Sequence, residues 1–348
     1  MAEPTRLADL TTLRLGGPAR ELVHATTEQQ LVEAVRDADG SAVPLLLLAG
    51  GSNLVVCDDG FDGRVVRIAT TGVEVDEDLC GGAMVTVAAG EPWDPFVAQA
   101  VDRGWVGVEA LTGIPGSVGA TPVQNVGAYG QEVSQTVASV RCWDREAGRL
   151  STFAAAECGF GYRTSRFKRD PHRFVVLTVT FQLRLGDLSA PVAYAELART
   201  LDVPVGARVP MSDVRQAVLA LRAGKGMVLD AADHDTWSAG SFFTNPVLDQ
   251  DAASALPSEA PRWPMPDGSV KTSAAWLIEH AGFGKGFGND RVALSGKHTL
   301  ALTNRGGATT ADLLDLAAAV QRGVGERYAV RLVNEPVLVG CELPIPAR

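Results

Sequence analysis

The sequence contains few cysteines and few histidines, and neither set has the spacing of a disulfide framework or a metal site. The five cysteines are an odd number and include no C-x-x-C pair, so we expect free thiols in a reducing compartment. They are Cys57, Cys80, Cys142, Cys158 and Cys341. The five histidines show no metal-ligand spacing, and the sequence therefore predicts no metal site.

The chain also lacks the features of a nucleic-acid-binding or membrane-inserted protein. Its 31 basic and 41 acidic residues give a formal net charge of −10, which offers no general basic surface to a nucleic acid. Its longest apolar runs, such as VPLLLLA, are far shorter than the ~20 residues that a membrane-spanning helix needs. The N-terminal segment MAEPTRLADLTTLRLGG has neither the basic start nor the apolar core of a signal peptide. We therefore expect a cytoplasmic protein with no membrane insertion.

Helical and strand patterns alternate along a chain of globular composition, with 46% hydrophobic and 21% charged residues. We expect an α+β fold with mixed sheets. The segment TTEQQLVEAVRD, residues 26–37, predicts a helix capped by Thr26 or Thr27. EPWDPFVAQAVDRG predicts a second helix. Strands are predicted over VPLLLLA, LVV, RVVRIA, AMVTVAAG, VASVRCWD, GRLSTFAA and RFVVLTVTFQLRL.

The second half of the chain gives similar patterns. Residues 186–210 predict a linker, which is followed by a helix with Ser212 or Asp213 as its cap. The segment 249–268, of low complexity, predicts a surface loop. Helices are predicted over SAAWLIEHAG, ending at Gly282, and over TTADLLDLAAAVQRGVGERY. The last predicted strand, VRLVNEPVLVG, contains Glu335.

Two uncharged glycine-rich segments predict a site built from backbone. They are AGGSN at 49–53 and GIPGSVGATPVQNVGAYG at 113–130, which holds five glycines and two prolines. Glycine lets backbone N–H groups approach an oxyanion directly, and Ser52, Asn53 and Ser117 add donors. The first segment leads into a strand, which argues against a G-x-G-x-x-G dinucleotide fold. A pyrophosphate cradle is one interpretation; tight turns and close strand packing are the other.

Six segments in a fixed order resemble one family of flavoenzymes. They are LLLLAGGSNLVVCDDGFDG, GVEALTGIPGSVGATPVQNVGAYGQEV, GYRTSRFK, AGSFFTNP, SAAWLIEHAGFGKG and NEPVLVG. Together, from about Thr12 to Gly340, they are similar to the UDP-N-acetylenolpyruvoylglucosamine reductases, also called UDP-N-acetylmuramate dehydrogenases (the MurB family), of early peptidoglycan synthesis. The strings GIPG…QNVGAYG and GSFFTNP are specific to that family.

This resemblance implies a two-lobed FAD-binding fold of the vanillyl-alcohol-oxidase (PCMH) type plus a third α/β substrate-binding domain. The first FAD-binding lobe would comprise residues 1–71 with 333–348, the second lobe 72–225, and the substrate-binding domain 226–332. FAD would bind noncovalently, NADPH would be the hydride donor, and the protein would be a monomer. The residues implied at the FAD are Gly50, Gly51, Ser52, Asn53, Gly113, Gly116, Ser117, Gly119 and Ala120.

The implied reaction reduces UDP-N-acetylglucosamine enolpyruvate to UDP-N-acetylmuramate. Reduced FAD would give a hydride to C3, and Ser241 in AGSFFTNP matches the family's proton donor to C2. Arg163 in GYRTSRFK and Glu335 in NEPVLVG match the residues at the substrate carboxylate, where enolate charge develops. From the residues alone, a turn serine, an ion-paired surface arginine and an edge-strand glutamate remain the alternatives.

For the UDP-sugar, the resemblance implies contacts from Gln124, Tyr129, Tyr194, Lys225 and Asn245. Tyr194, in APVAYAEL, is typical of the subgroup with an extra tyrosine loop that folds over the nucleotide.

The chain departs from the family pattern at three places. The surroundings of Lys225, RAGKGMVLD, lack an expected proline. Thr164 stands where an acidic residue is common, which weakens the case for a local pair with the arginine. Thr244 stands where a lysine is common, which removes a cation near the substrate.

Two other function classes remain open on the sequence. Another FAD-dependent sugar or alcohol oxidoreductase with the same flavin lobes would carry a covalent His or Cys tether, and it would have no use for GSFFTNP and NEPVLVG. A nucleotide-binding module without catalysis would not need Arg163, Ser241 and Glu335 together. Oxidation of NADPH that depends on UDP-N-acetylglucosamine enolpyruvate would discriminate between these classes.

Overall fold

The computed structural model describes residues 5–78 and 81–343. Its helices are α1 (Glu28–Gly40), α2 (Trp93–Asp102), α3 (Arg166–Arg169), α4 (Ala195–Thr200), α5 (Met211–Gly224), α6 (Gln250–Ala255), α7 (Ala274–His280) and α8 (Thr310–Tyr328). Its strands are β1 (Ala19–Ala25), β2 (Leu45–Leu48), β3 (Leu54–Val56), β4 (Phe61–Ile68), β5 (Val73–Asp78), β6 (Gly82–Ala88), β7 (Trp105–Val106), β8 (Gly127–Ala128), β9 (Gln131–Glu132), β10 (Val137–Asp144), β11 (Arg149–Ala154), β12 (Phe174–Leu185), β13 (Val247–Leu248), β14 (Arg262–Pro264), β15 (Val270–Thr272), β16 (Val292–Leu294), β17 (Leu302–Asn304) and β18 (Val337–Val339). Short 3₁₀ turns cover Leu7–Leu10, Glu109–Leu111, Val118–Ala120, Val133–Gln135, Ala155–Glu157 and His234–Thr236.

Most of the predicted helices and strands are confirmed, and the structure shows what starts and ends them. Helix α1 begins after Thr27, whose Oγ1 accepts a hydrogen bond from the Gln30 N–H at 3.2 Å. Helix α7 is followed by Gly282 with φ +100°, a conformation that favours glycine. Of the five predicted free thiols, the four described ones form no disulfide, and Cys80 lies outside the described residues, as do 1–4 and 344–348 of the predicted first lobe.

Two segments that the sequence predicted to be irregular contain regular structure. The predicted linker 186–210 includes α4, and the predicted loop 249–268 includes α6 and β14. Helix α6 forms in a low-complexity segment because the Asp249 carboxylate caps it, accepting from the Ala252 N–H at 2.8 Å.

Two further predictions of local structure are wrong. Helix α5 begins at Met211, and the Pro210 carbonyl accepts its first hydrogen bonds, so Ser212 and Asp213 lie inside the helix instead of capping it. Glu335 lies before β18 and outside any strand. The reason is the following proline, which has no N–H group and cannot continue a strand ladder.

The chain divides into two compact units. The central unit comprises Glu21–Gly50 and Gly63–Ala223, and the terminal unit comprises Met1–Arg20, Gly51–Asp62 and Gly224–Arg348. The division into three domains stays a prediction. No helix in the described part of the chain has both the length and the hydrophobicity to span a bilayer.

In the central unit, the described residues form a six-stranded sheet of order β11-β10-β12-β6-β5, with β7 also pairing with β12. The long strand β12 runs antiparallel to both β10 and β6. A second sheet has the order β1-β4-β2, with β2 and β4 parallel. Helix α1 packs on this second sheet through Leu31 and Val35, which are fully buried.

Helix α2 packs on the larger sheet through a cluster of aromatic rings. Trp93 and Phe96 of α2 lie with ring centroids 6.0 and 5.3 Å from Phe181 of β12, and all three are at most 1% exposed. Truncating one such ring to alanine typically costs about 3–5 kcal/mol. The start of α2 is therefore firmly held, and it supports the segments of the protein that pack against it.

In the terminal unit, β18 runs parallel to β3, with Val337 opposite Leu54. The other described strands form the sheet β13-β15-β14 and the pair β16-β17. Helices α7 and α8 pack together, and their apolar faces share one core with Phe242 and Phe243.

The turn after β10 depends on one buried carboxylate. Asp144 accepts hydrogen bonds from Arg173 Nε and Nη2, at 3.1 and 2.9 Å, and from the N–H groups of Glu146 and Ala147, both at 3.1 Å. The Arg173 hydrogen bonds lower the pKa of Asp144 from its usual value, although burial opposes them. Because the folded pKa lies below the unfolded one, this stabilisation is present above the unfolded pKa and is lost as the pH falls through the folded pKa.

We expect Asp144→Asn to lower the melting temperature by an amount that depends on pH. The difference from the unsubstituted protein should be full above about pH 5 and should shrink below about pH 4, near the ordinary pKa of aspartate. Thermal unfolding followed by circular dichroism from pH 7 to 2.5 measures it. A difference that stays constant over that range would contradict the assignment.

Candidate functional site

The two glycine-rich segments come into direct backbone contact within the central unit. A Cβ on Gly50 would lie 2.6 Å from the Cα of Gly116, and a Cβ on Gly119 would lie 2.5 Å from the Cβ of Ala89. Side chains cannot be accommodated at such distances, so this packing requires glycine. Gly113 and Gly116 also have positive φ angles of +70° and +121°.

Hydrogen bonds to the start of α2 and the end of β6 fix the second segment in place. The Gly116 carbonyl accepts from the Trp93 N–H at 3.0 Å, and the Gly119 N–H donates to the Ala89 carbonyl at 2.8 Å. Because its N–H is bonded within the protein, Gly119 offers no hydrogen-bond donor to a ligand. Its contribution is the close packing that the lack of a side chain permits.

Ser117 is the polar group that this packing leaves unsatisfied. The residue is 4% exposed, and its Oγ is buried without a hydrogen-bond partner among the described residues. Buried polar atoms in native proteins are nearly always paired with protein, water or a ligand. An uncharged turn with one buried hydroxyl suits a ligand that presents acceptor oxygens to the backbone.

In the terminal unit, Gly51 is packed as closely against neighbouring atoms as Gly50 and Gly119 are in the central unit. Its φ is +60°, and a Cβ there would lie 1.9 Å from the Leu10 carbonyl oxygen. The Gly51 carbonyl accepts from the Thr12 N–H at 3.2 Å. Ser52 and Asn53, both half-buried, then lead into β3.

Residues 241–244 and 333–335 form a short hydrogen-bonded junction, the Ser241–Glu335 junction. The Glu335 N–H donates to the Phe242 carbonyl at 2.8 Å, and the Thr244 N–H donates to the Val333 carbonyl at 3.0 Å. Ser241 and Glu335 are both half-buried. The junction brings the backbone of Glu335 beside Phe242, the residue that follows Ser241, although Ser241 and Glu335 lie 94 positions apart in the sequence.

The local sequence explains why the junction forms. Phe242 and Phe243 are each 1% exposed, with ring centroids 5.1 Å apart in the core of the terminal unit. The Phe242 N–H donates to the Leu300 carbonyl at 2.7 Å. Gly240 has φ +74°, which turns the chain immediately before Ser241. The backbone of Ser241 is thus fixed on both sides.

Asn53 joins the first glycine-rich segment to this junction. Its Nδ2 donates to the Glu335 carbonyl at 3.5 Å, and its own carbonyl accepts from the Val337 N–H at 2.9 Å. The structure therefore places Asn53, at the end of the first glycine-rich segment, next to Glu335 in the terminal unit.

Arg163 lies in a strained turn of the central unit. Its φ is +51°, and Gly161 and Thr164 exchange backbone hydrogen bonds of 3.0 and 3.2 Å on either side of it. Its Nη2 donates to the Gly127 carbonyl at 2.9 Å. A positive φ in a residue other than glycine costs about 1–3 kcal/mol and is found mostly where the surroundings impose it, often at functional sites.

The buried amide of Asn125, 1% exposed, attaches this turn to the second glycine-rich segment. Its Nδ2 donates to the Gly161 carbonyl at 3.1 Å, and its Oδ1 accepts from the Ser134 N–H at 3.1 Å. Gln124, which is half-buried, precedes it in the same turn. The structure thus brings Gln124 and Arg163 to the same part of the central unit.

Tyr129 and Tyr194 meet edge to face, with ring centroids 5.7 Å apart at an interplanar angle of 88°. Tyr129 occupies the turn between β8 and β9 with φ +49°, and Gly130 follows with φ +85°. Tyr194 directly precedes α4 and is 46% exposed. Each of the two side chains combines an apolar ring with a polar hydroxyl group.

The two other predicted substrate residues, Lys225 and Asn245, lie in the terminal unit. Asn245 accepts from the Ala274 N–H at 3.0 Å and so supports the start of α7. Lys225 is half-buried and directly follows α5. Where the family pattern has a lysine, Thr244 donates its hydroxyl to the Val333 carbonyl at 3.3 Å.

Sequence reasoning missed a charged cluster beside Gly113. Asp94 accepts from the Gly113 N–H at 2.7 Å and from Arg215 Nη1 and Nη2 at 2.8 and 3.1 Å. Although burial raises the pKa of Asp94, these hydrogen bonds lower it below its usual value. Burial lowers the pKa of the Arg222 guanidinium, and the nearby Tyr129 and Asp94 oppose that shift. The sequence signal that could have identified Arg222 is its position one helical turn before Lys225.

In the described residues, no group of three or more His, Cys, Asp or Glu side chains could hold a metal ion.

Comparisons with known proteins agree on one family. Residues 232–339 match the model of the UDP-N-acetylenolpyruvoylglucosamine reductase C-terminal domain, and residues 19–154 match an FAD binding domain. The UDP-N-acetylenolpyruvoylglucosamine reductase of Cutibacterium acnes is 58% identical over 98% of this chain and 91% of its own length. That of Streptomyces avermitilis is 56% identical over 97% and 94%. The crystal structure of the Thermus caldophilus enzyme aligns over 97% of this chain and 99% of its own, with a TM-score of 0.66 and 26% identity.

We expect Gly50→Ala to weaken FAD binding, because its Cβ would push the two glycine-rich segments apart. Overpacking of this kind costs about 1–3 kcal/mol, or roughly fivefold to 140-fold in Kd. Titration of the apoprotein with FAD, followed by flavin fluorescence, measures it. Gly40→Ala is the matched control, since a Cβ on Gly40 would meet no atom within 4 Å. Equal FAD affinity in the two variants would contradict the assignment.

Proposed function

The chain belongs to the UDP-N-acetylenolpyruvoylglucosamine reductase family, and we propose that it reduces UDP-N-acetylglucosamine enolpyruvate to UDP-N-acetylmuramate with NADPH as the hydride source. It is accordingly an oxidoreductase of peptidoglycan precursor synthesis with an FAD-binding domain. The observation that carries the detailed proposal is the Ser241–Glu335 junction, with Asn53 bonded to it. We also propose that the reaction takes place in the cytoplasm, since free thiols are typical of a reducing compartment.

The residues of both glycine-rich segments fit a bound FAD. Gly50, Gly51 and Gly119 pack closely against neighbouring atoms and carry no side chains. The buried Ser117 hydroxyl has no hydrogen-bond partner among the described residues. We assign the noncovalent FAD site to Gly50, Gly51, Ser52, Asn53, Gly113, Gly116, Ser117, Gly119 and Ala120. When bound, FAD supplies the hydride chemistry, and the protein has to orient, polarise and protonate the substrate.

Arg163 is proposed to hold the substrate carboxylate. A guanidinium presents paired N–H donors that match a planar carboxylate, and it stabilises charge that grows there as the double bond is reduced. The strained turn and the bond to Gly127 fix the direction of this side chain. Glu335 is proposed to act on the same substrate carboxylate and so to help stabilise the enolate.

Ser241 is proposed to deliver the proton to C2 from its Oγ. An ordinary serine hydroxyl is a poor acid, but the carbon of an enolate is a strong base, so position matters more than acidity. The proposal is supported by the left-handed glycine before Ser241 and the buried phenylalanine after it, which fix the backbone of Ser241.

Five residues are proposed to bind the UDP-sugar. Tyr129 and Tyr194 would pack on the nucleotide and offer their hydroxyls to phosphate oxygens. Lys225 would meet the diphosphate as a compact cation. The remaining two, Gln124 and Asn245, would bind through their side-chain amides.

We expect oxidation of NADPH by the purified FAD-loaded protein to depend on UDP-N-acetylglucosamine enolpyruvate. The decrease in absorbance of NADPH, with and without this substrate, measures the dependence, and the lactyl ether product is checked by mass spectrometry. Rapid NADPH oxidation with oxygen alone and no effect of the UDP-sugar would instead favour another FAD-dependent oxidoreductase.

We expect Ser241→Ala to lower kcat by about a hundredfold or more, since a positioned general acid typically contributes 10²–10⁴-fold. Anaerobic stopped-flow reduction of the flavin by NADPH should stay within about twofold of the unsubstituted rate, because that step needs no proton from Ser241. Ser254→Ala, on the exposed face of α6, is the control. If Ser241→Ala slows flavin reduction as much as turnover, Ser241 is not the proton donor.

A further inference from the structure

Glu109 is a fully buried carboxylate with three hydrogen-bond donors on it. Its side chain is 0% exposed and lies in the 3₁₀ turn Glu109–Leu111. Oε1 accepts from the Ala190 N–H at 2.6 Å and from Gln131 Nε2 at 3.0 Å, and Oε2 accepts from the Gly107 N–H at 2.7 Å. Burying a carboxylate costs free energy of folding unless several hydrogen-bond donors satisfy it. The reason for its presence should therefore lie in the parts of the protein that these three donors connect.

The first branch of this network leads to the turn that carries Tyr129. Gln131 is the first residue of β9, and it is bonded at both ends of its amide, donating to Glu109 and accepting from the Ala110 N–H at 2.8 Å. Only the two residues Tyr129 and Gly130 separate β8 from β9, and both have positive φ. Fixing Gln131 therefore fixes the direction in which Tyr129 leaves the turn.

The second branch leads to the segment that carries Tyr194. The bond to the Ala190 N–H joins Glu109 to a residue 81 positions away. A few residues on, Ala193 packs against the turn, since a Cβ on Gly130 would lie 2.9 Å from the Ala193 Cβ. The two tyrosine-bearing segments thus share one buried carboxylate, and their rings meet 5.7 Å apart.

We propose that Glu109 is a positioning residue for the nucleotide of the substrate: it holds Tyr129 and Tyr194 at the separation and angle that the UDP group requires. The proposal rests on the nucleotide-binding role given to the two tyrosines under the proposed function. Glutamine at this position would keep the size of the side chain. It would, however, direct an NH₂ group at one or more of the three donors and leave at least one of them without an acceptor.

The test uses the FAD-loaded full chain and steady-state kinetics with UDP-N-acetylglucosamine enolpyruvate. Glu109→Gln is expected to raise the KM for this substrate by about tenfold or more. The rate of flavin reduction by NADPH should stay within about twofold, because that half of the reaction uses no UDP group. Asp144→Asn is the matched control: it also removes a buried, multiply bonded carboxylate of the central unit, and its KM should stay near the unsubstituted value.

A double-mutant cycle separates positioning from general destabilisation. If Glu109 acts through the tyrosine pair, Glu109→Gln combined with the pair variant Tyr129→Ala/Tyr194→Ala should raise KM no more than about twofold beyond the pair variant alone. Multiplicative effects of Glu109→Gln and the pair variant would overturn the proposal, as would parallel losses in KM and in flavin reduction.

Two further outcomes distinguish this proposal from the function it rests on. If Tyr194→Ala leaves the KM unchanged, the nucleotide role of Tyr194 fails, and the Glu109 proposal is overturned with it. If Tyr194→Ala raises the KM and Glu109→Gln does not, the Glu109 proposal alone is overturned. Should Glu109→Gln fail to fold, Gln131→Met keeps the side-chain volume and removes one branch. It must then raise the KM about twofold to fivefold without adding to Tyr129→Ala, and an unchanged KM would overturn the proposal.

Discussion

The hydrogen bond from the Glu335 N–H to the Phe242 carbonyl is the interaction on which the site in the terminal unit depends. It fixes the glutamate beside the residue that follows Ser241, and the bond from Asn53 adds the first glycine-rich segment to the same cluster. The two buried phenylalanines tie this cluster to the core, so the free energy of core packing also holds the site in place. Three segments that are distant in sequence are thereby joined by hydrogen bonds in one place.

In the central unit, the candidate site depends instead on glycines, whose lack of side chains lets the two glycine-rich segments pack closely. Gly50 and Gly116 touch backbone to backbone, and the aromatic cluster under α2 supports them. Around this neutral surface the charge is local: the chain is acidic overall, yet Arg215 and Arg222 lie beside Gly113, and Arg163 lies against Gly127. Backbone groups with a few cations nearby suit an anionic ligand.

The sequence was informative where function depends on local chemistry. Glycine turns, the caps of α1 and α7 and the family strings were all readable from short segments, and the comparisons confirm the family and the FAD-binding domain. The sequence was less informative where distant residues decide the outcome. In the sequence, Glu109 looks like any other acidic residue, and its role becomes visible only when the fold brings Ala190 to it. Helix α6 was not predicted because its segment has a loop-like composition, which one capping aspartate outweighs.

The central claim is that Arg163, Ser241 and Glu335 act on one enolpyruvyl group. A crystal structure of the protein with FAD and UDP-N-acetylglucosamine enolpyruvate would test it most directly. We predict Ser241 Oγ within about 3.5 Å of C2, and the Arg163 guanidinium and the Glu335 carboxyl within about 3.2 Å of the substrate carboxylate. A substrate bound with any of these groups more than about 6 Å from its assigned atom would contradict the account, because no proton or hydrogen bond passes directly over that distance.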